Sequence, residues 1–153
     1  MVKARAVAAV LLCVLGTSGL VEARKPQSRA GQVIFADEAP EDLSRTRILK
    51  VTIVQELPNE LVVDVEYVRA ADFAGELSLM LTPNMPHWSV SQVYLQPGKG
   101  IVSQSIGIQE EEVKKPVKSN NLALQIEHYQ DRKYKGPIFQ RIVPFEKVWT
   151  PAR

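Results

Sequence analysis

The chain has 153 residues, room for one domain, and its 45% hydrophobic and 24% charged content is an ordinary globular balance. Of its 19 basic and 17 acidic residues, Lys3, Arg5 and Glu22 fall in the first 23. The remaining 17 and 16 nearly cancel and offer no electrostatic argument for nucleic acid or an anionic membrane surface. Cys13 is the only cysteine, which excludes an internal disulfide and a cysteine zinc site.

The N-terminus reads as an export signal over residues 1–23. Lys3 and Arg5 form a positive region, and residues 6–15 form an apolar run of signal-peptide length, too short to span a bilayer. Gly16 to Gly19 break the run, and Val21 and Ala23 place cleavage after Ala23. Leu11 and Leu12, rather than small residues, precede Cys13, so no lipid-attachment site is expected. The mature chain would be cysteine-free, without a transmembrane segment, and located in the periplasm or outside the cell.

Residues 24–46 are polar, with Pro26, Gly31 and Pro40, and read as a flexible lead-in; Val33 to Phe35 are its one apolar run, suited to a short edge strand. Pro40 to Leu43 would suit one helical turn. Strand signals fill residues 47–149, leaving a tail at 150–153. Residues 48–55 are rich in β-branched side chains, and 57–60 supply a turn. Residues 61–67 alternate cleanly, with Leu61, Val63, Val65 and Tyr67 on one face and Val62, Asp64 and Glu66 on the other. Residues 76–82 put Leu77, Leu79 and Leu81 inward. Residues 88–95 read as a weaker strand in which Val90 and Val93 have opposite parity, a conflict that a bulge would reconcile. Pro97-Gly98 is a turn signal. Residues 101–108 follow, with Val102, Ile106 and Ile108 on one face and Gln104 interrupting it. A charged connection over 110–121 leads to 122–129, where Leu122, Leu124, Ile126 and His128 share a side. Residues 130–136 read as a polar loop, and 138–145 close the domain with Pro144 marking a sheet edge.

About seven strands with turn signals between them, and no crossover helix, define an all-β fold: a single antiparallel β-sandwich. The strand number, the Pro97-Gly98 turn and the closing segment 139–149 resemble the immunoglobulin-like and fibronectin III-like sandwiches of bacterial exported proteins. The paired cysteines of antibody domains are missing, as is a tyrosine near the start of the 122–129 strand. The resemblance implies fold class and leaves the partner open.

Chemistry is sparse. There is no Gly-x-Ser-x-Gly, and only His87 and His128 could serve as a base. His128 reads as a partly buried core-edge residue and His87 as a loop residue. Asp37, Glu38, Glu41 and Asp42 do not have EF-hand spacing and read as an acidic surface. No catalytic residue, cofactor or metal ligand is expected. Arg132, Lys133 and Lys135 interleave with Tyr129 and Tyr134, and Trp88, Tyr94, Tyr134 and Trp149 are candidate surface aromatics. The leading expectation is an exported, non-catalytic module that binds a protein or serves a structural role in the envelope. Its contacts would come from loops at one end of the sandwich, with Met85, His87 and Trp88 in one loop and Arg132, Lys133 and Tyr134 in the other. The alternative is carbohydrate or small-ligand binding through exposed aromatics, and a third is a hydrolase built on one histidine.

Overall fold

Residues 28–152 are described by the structure, a computed structural model, and within them the extended segments form nine strands and no helix. The signal peptide expected over 1–23 and the first residues of the lead-in lie outside the described residues. No helix among the described residues is long and apolar enough to cross a membrane.

The strands are β1 (Val33–Ala36), β2 (Arg47–Glu56), β3 (Glu60–Arg69), β4 (Glu76–Pro83), β5 (Trp88–Val90), β6 (Val93–Tyr94), β7 (Gly98–Ile108), β8 (Val117–Gln130) and β9 (Lys133–Trp149). They form two antiparallel sheets, ordered β1-β2-β3-β7-β5 and β6-β4-β8-β9. The cause is the period-2 pattern: Leu61, Val63, Val65 and Tyr67 of β3 are buried, and so are Leu77, Leu79 and Leu81 of β4 and Leu122, Leu124 and Ile126 of β8. These stripes belong to one core between the sheets, a β-sandwich-like arrangement. The outward acids of β3 are paired across strands. Lys50 Nζ lies 3.0 Å from Glu66, and Ser103 Oγ donates to Asp64 at 2.5 Å.

Four expectations change. The strand number is nine rather than about seven. The segment 88–95 is not one bulged strand but two short ones in different sheets: β5 pairs with β7 and β6 with β4. The opposite parity of Val90 and Val93 is a change of sheet between them, which lets both pack on one core. The polar loop over 130–136 is a two-residue turn at Asp131 and Arg132, with φ of 53° and 61°, closed by pairing of Gln130 with Lys133. Positive φ at both central positions is the type I′ geometry that matches strand twist, here without the usual glycine. Pro40 and Glu41 form one isolated turn, closed by Asp42 N–H donating to the Ala39 carbonyl (3.2 Å), and no helix follows. There Arg47 gathers Asp37 (3.4 Å), the Ala39 carbonyl and Asp42. The lead-in is docked through β1, which pairs with β2 as the expected edge strand.

The change of sheet creates a problem in β4. β6 covers only Ser78 and Leu79, so the backbone beyond has no strand on that side. Gln104, fully buried on the inner face of β7, fills the gap. Its Oε1 accepts from Leu81 N–H (3.1 Å), and its Nε2 donates to the carbonyls of Leu79 (3.0 Å) and Ser91 (2.7 Å). The residue that interrupts the apolar stripe is therefore a substitute ladder rung. Replacing Gln104 by Leu keeps the volume and strands these backbone groups. The free energy of unfolding is expected to fall by about 2–4 kcal/mol with an unchanged denaturant slope. A chemical denaturation curve superimposable on that of the parent would refute the role.

Candidate binding surface

The loop candidates do not converge. Pro83 stands opposite Leu122 and Glu76 opposite Tyr129, so the segment after β4 and the β8–β9 turn lie at opposite ends of one sheet. At strand rise they are about 23 Å apart. Asn84 is tied to β8, its Oδ1 accepting from the backbone N–H groups of Asn120 (2.9 Å) and Asn121 (3.0 Å). Met85 is 7% exposed and packs in the core, so its side chain is not available as a loop contact. Trp88 is half-buried against the same core. His87 is exposed at φ 54°, and its carbonyl accepts from Gln109 N–H (2.7 Å). Arg132, Lys133 and Tyr134 are exposed at the other end. His128 is half-buried; its Nε2 lies 3.1 Å from the Ala74 carbonyl, and its ring meets Phe73 edge-on.

The register assembles a different surface. On β8 the inward set leaves Ala123, Gln125, Glu127 and Tyr129 facing away from the core. Pairing aligns Thr82, Ala123 and Ile142 in one row, and Met80, Gln125 and Gln140 in the next. A third row holds Tyr94, Ser78, Glu127 and Pro137, and a fourth Glu76, Tyr129 and Tyr134. Tyr94, Tyr134 and Ile142 are 49%, 54% and 65% exposed, whereas Ser78 between Tyr94 and Glu127 is fully buried. The Tyr129 and Tyr134 rings pack at 5.5 Å with a 55° tilt. The Tyr129 hydroxyl donates to Glu127 at 2.8 Å. That bond first, then burial and the Glu127 charge, push the phenol up to about 12, so it stays a neutral donor. Of the candidate aromatics, Tyr94 and Tyr134 reach this face. Trp149 is buried and donates from Nε1 to Ser119 Oγ (2.8 Å).

Sequence reading ended the last strand at residue 145 and so missed Lys147, which continues the inward stripe of Val143, Phe145 and Trp149. Lys147 Nζ donates to the Leu57 carbonyl (2.6 Å), lies 3.5 Å from Glu56 and sits 4.7 Å from the Trp149 ring centroid. Arg29 grips Glu56 through Nε (2.7 Å) and Nη2 (2.5 Å) and lies 4.4 Å over the Phe145 ring. This cluster ties the N-terminal strap, residues 28–32 ahead of β1, to both sheets, beside a cavity of about 460 Å³. Of the acids at 37–42, Asp37 and Asp42 are engaged by Arg47. Ser44, through its hydroxyl and then its N–H, holds Asp42 down to about 2. Among the described residues no group of three or more His, Cys, Asp or Glu side chains is placed to hold a metal ion.

Comparison with protein-family models, with curated proteins and with solved structures gives no match.

Two groups of the strap cluster make stability rise with pH, in separate windows. The Arg29 hydrogen bond, working against burial, lowers Glu56 from its ordinary 4.5, while burial lowers Lys147 from its ordinary 10.5. A lowered carboxylate adds stability above its unfolded value and loses it as pH falls through that value to the folded one. A lowered lysine makes stability rise as pH approaches 10.5. Stability is therefore expected to decline below pH 4.5. Glu56→Gln should flatten that decline in urea titrations across the acid range, whatever its effect at neutral pH. An unchanged acid slope would show that Glu56 is not carrying it.

Proposed function

We propose that the chain is an exported, non-catalytic β-sandwich module of immunoglobulin-like type, and that its working surface is the outer face of the β6-β4-β8-β9 sheet. Residues 1–23 act as the signal peptide, with cleavage after Ala23 releasing the module to the periplasm or the medium. The immunoglobulin-like reading is supported by strand order: β2-β3-β7-β5 opposite β4-β8-β9 follows the A-B-E-D and C-F-G arrangement. The non-catalytic reading is supported by the histidines. His87 follows β4, and His128 near the far end of β8 meets a carbonyl and a phenyl ring rather than a carboxylate.

The observation that carries the binding surface is the gathering of Tyr94, Tyr129 and Tyr134 on one sheet face with Met80 and Ile142. Recognition surfaces are enriched in aromatic residues and Met and depleted in Lys and Glu. A protein partner meeting both loops at one end has lost its geometric support, because the loops lie at opposite ends. The face supports the alternative instead, contact through exposed aromatics, with Arg132 and Lys133 at its rim.

Tyr94→Ala/Tyr134→Ala truncates two exposed rings and is expected to leave the melting temperature within a few degrees of the parent. The same variant should lose whatever the parent retains in affinity capture from the native envelope or medium and on a glycan array. An Asn84→Ala/His87→Ala variant should keep it. The reverse pattern would move the site to the loop after β4.

A further inference from the structure

We infer that the ligand of the tyrosine face is a linear, uncharged polysaccharide; this rests on the face being the binding surface. The first argument is shape. Small molecules are held in concave sites, and five cavities of 300–500 Å³ are lined by residues elsewhere, around Arg29 and Lys147, Ser89 and Glu60, and Glu110 to Lys115. The tyrosines stand instead on an open sheet face, from β6 across β4 and β8 to β9. Three inter-strand spacings set them over about 14 Å, the reach of a short run of sugar rings. A pyranose presents a C–H face that packs on an aromatic π-face, and a row of rings serves a repeating chain better than a single compact ligand.

The second argument is the polar chemistry of the rows beside the rings. Gln125 and Gln140 stand opposite each other, and among the described residues neither side chain hydrogen-bonds to another residue. An amide offers two donors and an acceptor, and the Thr82 hydroxyl both donates and accepts, which matches the hydroxyls of a neutral sugar. The single charge within the rows of Met80 and Ser78 is Glu127, and the Tyr129 hydroxyl occupies it. At the rim, Arg132, Lys133 and Lys135 are offset by Glu76, Glu127 and Asp131, so this end has no net charge to select an acidic polymer. Arg132 sits at φ 61°, where a glycine would be less strained; that fixes the turn holding Tyr134 against Tyr129.

The test is native affinity electrophoresis of the mature chain. The gels carry hydroxyethylcellulose, dextran, soluble starch, galactomannan, arabinoxylan or polygalacturonate, and a polymer-free gel is the reference. Retardation is expected with at least one neutral polymer and not with polygalacturonate. Tyr94→Ala and Tyr134→Ala should each weaken it roughly three- to tenfold, and Gln125→Leu should also weaken it, with unchanged circular dichroism. Retardation by polygalacturonate alone would overturn the inference. So would no retardation by any polymer, and if affinity capture still depended on the two tyrosines, the surface would stand while its ligand would not be a glycan. Retardation that ignores the tyrosine substitutions would overturn both the ligand and the surface.

Discussion

The sandwich depends on how one side chain settles the backbone where the chain changes sheets. Gln104 spends an otherwise apolar position of β7 on hydrogen bonds to Leu79, Leu81 and Ser91, which belong to the opposite sheet and to the crossing segment. Without it, β4 would present buried backbone groups with neither strand nor water as partner, a situation native structures avoid. The two-residue β6 can be so short because the rung it fails to supply is made from the other sheet. The crossing in turn allows Val90 and Val93 to enter one core from two sides, and leaves Tyr94 on the outer face of its sheet. Core, crossing and surface are thus linked through one buried amide.

A second constraint holds the far end. β9 is an edge strand, and an edge of 17 residues would invite pairing with other chains. Pro137 and Pro144 interrupt its donors, and the Arg29–Glu56–Lys147 cluster packs the strap against its last residues, at Phe145 and Lys147. Burying Lys147 costs desolvation, which its contacts with Glu56, the Leu57 carbonyl and the Trp149 ring offset. Tyr67 does similar work on the first sheet. Its hydroxyl accepts from Gln96 N–H (3.1 Å), and the ring lies so close over Gly100 that a Cβ there would meet the hydroxyl at 2.7 Å.

These devices leave the two outer faces different in kind. On the β3 side, Asp64 and Glu66 are consumed by Ser103 and Lys50, a self-satisfied polar surface. On the β8 side, Glu127 is capped by a tyrosine, Glu76 lies at the end of the face, and the groups between are rings, amides, a threonine and aliphatic side chains. The second face is where recognition chemistry is left over after folding has taken its share.

The sequence by itself determined the fold class. Alternation at 61–67, 76–82 and 122–129 named about half of the buried core, because a strand with one wet face must alternate. It also placed the β2–β3 hairpin, the docking of Val33 to Phe35 and the edge position of Pro144. Only the tertiary structure decided what depends on pairing between distant segments. Gln104 looked like a flaw in a stripe, because its partners lie 13 to 25 residues away. Met85 looked like a loop residue, because burial by another strand leaves no local signature. The two contact loops looked like neighbours, because chain order does not say which end of a sheet a turn occupies. Tyr94, Tyr129 and Tyr134 became one surface only through the register of β6, β4, β8 and β9. A one-residue shift in any of those pairings would have turned a ring to the other side.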